Sequence, residues 1–453
     1  MRYVIVTSRC PVSHDRSGGR ETLRRNVGGV VTALHQAMKA NGGVWICWGD
    51  GNADMNYPVE DYEGYTVARI FLNRNEKHGF YDEYSNGTLW PLFHYFRERV
   101  RYVEDSFETY SAVNRKFAEA VAKYMDNDSV IWVHDYQLSL VPEFVRKLGI
   151  GNFIIFTWHI PWVSSEFFNI LPQAKEIVDS ITQADMITFH TELYRKNFRE
   201  SCERLSQPDF NVDDRTSAYS LGIDSDYYSR VDEPVNPLEN LQKNGKVIFS
   251  IDRLDYTKGL INRVLSVEKV LKKYPDTRGR FHYVMMVTPS RTSVSEYIRM
   301  KRDLEMEIGR INGSHGDIKW QPIIYMYSKI SDRVLLSYYR YADIALITPV
   351  MDGLNLVSKE FVAASRQGIL ILSEFAGAAF NLPQALIVNP NDISAMADTI
   401  YTAMNMDKGE IARRLEAMKT SVTRRNLKWW IDAIEKRAKT LMANRKVFNA
   451  PGQ

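Results

Sequence analysis

The chain has 453 residues, more than one typical core holds, so two domains are expected. Hydrophobic residues make up 45% and charged residues 25%, an ordinary globular balance, and a formal net charge of +3 without a Lys/Arg run excludes a nucleic-acid binder. The cysteines Cys10, Cys47 and Cys202 are odd in number, widely spaced and outside C-x-x-C pairs, so they read as reduced buried thiols and not as a disulfide framework or a zinc site.

Met1-Arg2-Tyr3-Val4-Ile5-Val6 reads as a first strand and not as a signal region, and no apolar run approaches a membrane span; a cytoplasmic protein with no membrane partner is expected. The strand over 4–6 ends in Ser8-Arg9. A polar segment with Gly18-Gly19 and Gly28-Gly29 follows, and a helix starts at Val30. Strand, glycine loop and helix suggest a phosphate or sugar loop, although the spacing is not G-x-G-x-x-G. A strand over 44–48 closes at Gly49-Asp50-Gly51. Residues 52–90 read as an irregular aromatic loop packed over something, either surface or acceptor pocket. Val113, Phe117, Val121 and Tyr124 recur at helical spacing.

Strands over 130–133, 153–158 and 186–189 then end in His134-Asp135, His159 and His190. A lone histidine is more often structural than catalytic. Three at the C-terminal ends of successive strands point to the working edge of a doubly wound parallel sheet. Residues 230–246, with Pro234, Pro237 and few hydrophobics, form the best linker. A second series follows, with strands over 247–251, 283–287, 323–326, 344–347 and 369–372, and helix beyond Asp392.

Two groups in this second half carry chemistry. Arg253 and Lys258 stand just after a strand and before Gly259; two cations on one turn grip a diphosphate and neutralise its charge as it leaves. In Asp352-Gly353-Leu354-Asn355-Leu356-Val357-Ser358-Lys359-Glu360 a strand hands over to a helix, the usual ligand position in open α/β sheets. Backbone N–H groups there suit an anion, Asp352 sugar hydroxyls and Glu360 a ribose; the plainer alternative is an N-capping Asp and a surface Glu. No histidine spacing calls for a metal.

These stretches, together with Leu89-Trp90-Pro91-Leu92-Phe93-His94-Tyr95, Trp132-Val133-His134-Asp135-Tyr136, His159-Ile160-Pro161, Gly309-Arg310-Ile311-Asn312-Gly313 and Ser373-Glu374-Phe375-Ala376-Gly377, give a chain that resembles the trehalose-6-phosphate synthase family from about Val4 to about Trp430. The resemblance implies an α/β GT-B fold, with two Rossmann-like domains facing across a cleft: 1–233, joined by a C-terminal helix over about 430–453 that crosses back, and 234–429. It implies a retaining transfer of glucose from UDP-glucose to glucose 6-phosphate. The leaving phosphate would take the acceptor proton, with no carboxylate nucleophile, cofactor or metal.

By the same resemblance Arg253, Lys258, His159 and Asp135 are catalytic. Arg253 and Lys258 hold the diphosphate, and Gly29 approaches it from the first domain. Asp352, Gly353, Leu354 and Asn355 hold the donor sugar, with Leu356 and Glu360 at the ribose. Arg9, Tyr81, Trp90 and Arg310 hold the acceptor phosphate, and Trp45 and Asp135 the acceptor sugar. The chain departs from the family pattern at Trp162-Val163-Ser164-Ser165, at Asn26-Val27-Gly28-Gly29, in a basic insert over 15–25 and in a shortened 207–217 segment. Another phosphorylated acceptor such as glycerol 3-phosphate, a nucleotide-sugar epimerase and an inactive regulatory homologue are the alternatives, and association into a homo-oligomer stays open.

Overall fold

Short apolar runs rich in Val and Ile, buried on both faces, become the strands of two largely parallel sheets. The structure, a computed structural model, describes residues 1–26, 29–230, 235–290 and 295–448. They divide into two units, the first of Met1–Leu221 with Trp430–Gln453 and the second of Gly222–Trp429.

The first unit's sheet has the order β10-β9-β8-β7-β1-β4-β6-β5. Its strands are β1 Tyr3–Arg9, β4 Gly43–Trp48, β5 Val59–Tyr62, β6 Tyr65–Ile70, β7 Val130–His134, β8 Ile154–Thr157, β9 Met186–Phe189 and β10 Thr216–Ala218. All pairings are parallel except β5 on β6. The basic insert folds as an antiparallel hairpin, β2 Val12–Ser17 with β3 Arg20–Arg25.

Two expectations are corrected here. Cys10 and Cys47 form a disulfide, leaving Cys202 as a free buried thiol. The cause is topological: parallel pairing sets Arg9 beside Trp48, so the residues next to them meet across 37 positions of sequence. The argument from reduced thiols to a cytoplasmic protein lapses with it. Residues 52–90 are not irregular: they hold β5, β6, a short helix over Arg74–Lys77 and a π-helix over His78–Leu89.

The second unit's sheet is wholly parallel, in the order β13-β12-β11-β14-β15-β16. Its strands are β11 Lys246–Arg253, β12 Phe281–Thr288, β13 Ile323–Tyr327, β14 Ile344–Ile347, β15 Ile369–Ser373 and β16 Leu386–Val388. Taken in chain order this is the 3-2-1-4-5-6 arrangement of nucleotide-binding Rossmann sheets, and the order reverses between β11 and β14. Side chains alternate between the two faces: Ile248, Val264, Tyr283 and Leu304 share one core, Phe249, Val284, Tyr339 and Phe361 the other.

The units divide at Leu221/Gly222, not at 233/234. Burial moves the boundary: Ile223 lies in the core with Phe249 and Phe361, Tyr228 packs against it, and the Leu427 N–H donates to the Ile223 carbonyl at 3.0 Å. Of the expected linker, residues 231–234 lie outside the described residues, and Leu238 beyond them is buried in the second unit. The last helix, Leu427–Phe448, belongs to the first unit from Trp430 onward. Trp430, Ile434 and Ala438, spaced four apart, are buried, Trp430 stacks on Trp132 at 5.6 Å, and Tyr3 donates to Glu435 at 2.9 Å.

Among the described residues no helix is long and apolar enough to cross a membrane, and no three His, Cys, Asp or Glu side chains cluster as metal ligands.

Candidate active site

In the second unit, β11 and β14 deliver two polar turns to the same edge. Arg253 ends β11, half exposed, with its guanidinium 4.0 Å from Asp255. A 3₁₀ turn over Tyr256–Lys258 follows, closed by Gly259 at φ +64°. A Cβ there would stand 2.6 Å from the Thr348 carbonyl, so only glycine lets the two turns approach. The Val350 N–H donates to the Thr257 carbonyl at 2.8 Å, and the Asp352 N–H to Phe375 at 3.1 Å. Gly377 lies against the Gly353 carbonyl, again leaving no room for a side chain.

Asp352 is the meeting point. Lys258 Nζ lies 2.5 Å from its Oδ2 and Asn355 Nδ2 donates to the same oxygen at 3.1 Å; the Lys258 and Asp352 side chains are only 12% and 15% exposed. Asn355, not Asp352, caps the Leu356–Ala364 helix: it sits at φ +73° and accepts from the Ser358 N–H at 3.0 Å. Asn tolerates this left-handed backbone better than most residues, which is a structural reason for Asn here. Leu356 opens the helix, and Glu360 stands in its second turn. Tyr339 donates to Glu360 Oε2 at 3.1 Å and Tyr228 bonds the same carboxyl. Burial raises the Glu360 carboxyl above its ordinary range, against the pull of these two hydroxyls. The sequence-assigned set Arg253, Lys258, Asp352, Gly353, Leu354, Asn355, Leu356 and Glu360 thus forms one edge of one sheet. Tyr228 and Tyr339 were missed; a Tyr one helix away leaves no local signal.

Beneath this edge Arg263, fully buried, donates to Asp252 Oδ2 at 2.6 Å, Thr348 Oγ1 at 3.2 Å and the Lys258 carbonyl at 2.8 Å. It ties β11, the residue after β14 and the Lys258 turn together.

In the first unit, Arg9 ends β1 and donates to the Tyr81 hydroxyl at 2.9 Å. Tyr81, Asp50 and Tyr136 all act electrostatically on it, Tyr81 most. Tyr81 comes from the π-helix, whose wide turn brings residues about five apart onto one face. Asn86 accepts from Tyr136 at 3.0 Å, and Trp90, next in the row, packs on Tyr136 at 5.9 Å. Arg9, Tyr81 and Trp90 therefore gather around Tyr136, beside Asp135. Gly29 begins the Gly29–Asn41 helix; Gly28 lies outside the described residues.

Asp135 itself sits at φ +71°, ψ 170°, a conformation essentially reserved for glycine. The His159 N–H donates to its Oδ1 at 3.2 Å, and burial pushes its carboxyl up to about 7. A raised carboxyl favours the folded state below the unfolded value, near 3.8, and that contribution is lost as pH rises through about 7. Asp135→Asn is therefore expected to melt higher than the parent at pH 8, by on the order of 2 kcal/mol, and to show no such gain at pH 4. Activity should fall in the same variant. Equal melting gains at both pH values would remove the charge explanation.

Two acceptor assignments are corrected. Trp45 is wholly buried in the middle of β4, its Nε1 donating to Thr7 Oγ1 at 2.7 Å, so it is core and not ligand wall. Trp48, at the strand's end and 5.5 Å from Tyr81, is the tryptophan of this edge. Arg310 lies late in the Ser295–His315 helix and is bound by Glu268, at 2.9 Å, and Glu307. Its helix runs back from the strand ends: neighbouring Asn312 pairs with Ile323, the first residue of β13. That is the edge opposite Lys258 and Asp352. Arg310→Ala is expected to leave the KM for a phosphorylated acceptor within about two-fold, as for other exposed ion pairs. A tenfold rise in steady-state assays would restore the first assignment. Arg291, the cation that follows β12, lies outside the described residues.

The model of glycosyltransferase family 20 matches residues 1–440. The chain is 34% identical to the trehalose-6-phosphate synthase of Klebsiella pneumoniae, over 95% of this chain and 93% of that one. It is 38% identical to the bifunctional trehalose-6-phosphate synthase/phosphatase of Thermoproteus tenax, covering 95% of this chain but only 62% of that protein. The E. coli trehalose-6-phosphate structure bound with UDP-2-fluoro glucose superposes with a TM-score of 0.89 at 33% identity, covering 97% of this chain and 99% of that one. The UDP-forming α,α-trehalose-phosphate synthase of Burkholderia xenovorans, in complex with glucose 6-phosphate, gives 0.88 at 30% identity, over 97% of this chain and 100% of that one. With two Rossmann-like sheets, a cation–carboxylate edge in the second and these likenesses over nearly its whole length, the chain belongs to glycosyltransferase family 20 and has the GT-B fold.

Proposed function

We propose that the protein transfers glucose from UDP-glucose to glucose 6-phosphate with retention, giving α,α-trehalose 6-phosphate. The observation that carries this reading is the edge formed by Arg253, Lys258, Asp352 and Glu360, which offers cations to a diphosphate and carboxylates to sugar and ribose hydroxyls. Arg9 with Tyr81, beside Trp90 and Asp135, suits a phosphorylated sugar as acceptor. The relatives' names and the ligands in the two solved structures support the same pair of substrates.

In the step, the bond between the anomeric carbon and the diphosphate oxygen breaks. The acceptor hydroxyl oxygen bonds to that carbon on the same face, and its proton passes to the departing phosphate. Arg253 and Lys258 meet the charge that develops there. Asp352 and Glu360 hold hydroxyls. Glycosidase chemistry, with one carboxyl as acid and one as nucleophile, is not required of them.

The test is a matrix of nucleotide-glucose donors against glucose 6-phosphate, glycerol 3-phosphate and water, with nucleotide release measured. Release with UDP-glucose that depends on glucose 6-phosphate is expected. Release only with glycerol 3-phosphate would change the acceptor, and none with any pair would end the proposal.

A further inference from the structure

Three adjacent parallel strands carry a two-row polar ladder on one face. In the lower row Trp132 Nε1 donates to Thr157 Oγ1 at 2.8 Å, and Thr157 bonds Thr188 Oγ1 at 2.7 Å. Two residues further along each strand comes the upper row, His134, His159 and His190. His134 Nδ1 lies 3.0 Å from His159 Nε2, and His159 Nδ1 lies 3.1 Å from His190 Nε2. Past the last ring, His190 Nδ1 stands 3.3 Å from the Tyr219 carbonyl oxygen and 3.4 Å from the Leu221 N–H. At the other end His134 Nε2 is buried without a hydrogen-bond partner among the described residues.

A neutral imidazole has one donor nitrogen and one acceptor nitrogen. A neutral file of three therefore has two consistent settings. Either every ring carries its proton on Nδ1, with the file donating toward Tyr219, or every ring carries it on Nε2, with the file accepting from Leu221. Both nitrogens of His159 are used within the file, so its ring can neither turn nor choose a tautomer alone.

We infer that His134 and His190 are positioning residues which hold His159 neutral, in fixed orientation and in one tautomer shared by all three rings. This rests on the reading of His159 as a neighbour of the transferred sugar. As the diphosphate leaves, positive charge develops at the anomeric carbon, and an imidazolium beside it would oppose that charge while a neutral ring does not. The groups acting on His134 and His159 are the neighbouring rings of the file, and the nearby Asp135 carboxyl accepts from the His159 backbone and not from a ring nitrogen. At His134 and His159 burial dominates, helped by the neighbouring rings: it pushes the His134 ring down to about 3 and holds His159 well below the ordinary histidine range.

The test uses the full chain, labelled with nitrogen-15 histidine and without substrate. Ring-nitrogen NMR is expected to show all three rings neutral and in the same tautomer from pH 6 to pH 8. A His159 that titrates near the usual value of about 6.5, or tautomers that differ, would overturn the inference whatever reaction the protein performs. The second arm is kinetic. His190→Phe is expected to lower kcat by about 30-fold with both KM values within about three-fold, and to bring a new acid limb into the pH profile. His190→Gln, which keeps a hydrogen-bonding group opposite His159, is expected to recover kcat to within about three-fold of the parent. Equal losses in the two variants with an unchanged pH profile would show His190 to be only a packing residue.

Discussion

Replacing Lys258 by alanine is expected to lower kcat/KM for the nucleotide sugar by about a thousandfold. Removal of one aligned group that meets developing charge accounts for about 10²–10³. The surroundings of Lys258 add to this. Its ammonium pairs with Asp352, and both side chains are largely shielded from water. Alanine leaves the carboxylate without the Lys258 cation, with Asn355 still donating to it, where a diphosphate would have to approach. The loss is thus expected both in donor KM and in kcat. Adding Asp352→Asn to Lys258→Ala should recover donor binding by about tenfold, because the two side chains are coupled. Steady-state release of nucleotide reads both effects. A loss below about threefold in the single variant would remove Lys258 from the reaction.

Arg263→Met is expected to destabilise the second unit by about 3–5 kcal/mol, the cost of breaking a buried ion pair from one side. For a unit of this size the melting temperature should fall by roughly 10 °C. Asp252 would be left buried without its partner, and the Lys258 carbonyl and Thr348 hydroxyl would each lose a hydrogen bond. Asp252→Asn with Arg263→Met should lose less than Arg263→Met alone, since no isolated charge remains. Calorimetry of both variants decides it. A single variant that melts with the parent would mean that water or another cation has replaced the guanidinium.

The sheets were legible because parallel strands buried on both faces appear as plain apolar runs; the strands at 186–189 and 344–347 match residue for residue. The turn at Asp352–Glu360 was legible for a related reason, since ligand chemistry collects where a strand ends. The same property hid Trp45. In a strand buried on both sides nothing in the sequence separates Trp45, inside, from Trp48, at the edge. Arg310 failed on direction: a helix of 21 residues reaches from one edge of a sheet to the other, and a motif at its far end looks local only in sequence. Cys10–Cys47 depended on which strands become neighbours, and the π-helix on a hydrogen-bond register that apolar spacing does not encode.

The tie between Tyr3 and Glu435 spans 432 residues, and this bears on the order in which the protein can be made. Synthesis runs from the N-terminus, and domains tend to fold as they emerge. The second unit is one continuous stretch, complete at residue 429. The first unit must wait for the last helix before Tyr3 of its first strand meets Glu435, Trp132 gains the cover of Trp430 and the Tyr219 carbonyl receives the Trp430 indole N–H. Contacts this distant in sequence form slowly because of the loop they close. A ribosome-bound chain can thus have a finished second unit while its earliest residues are still incomplete, and a chain stopped at residue 429 would keep that state for good.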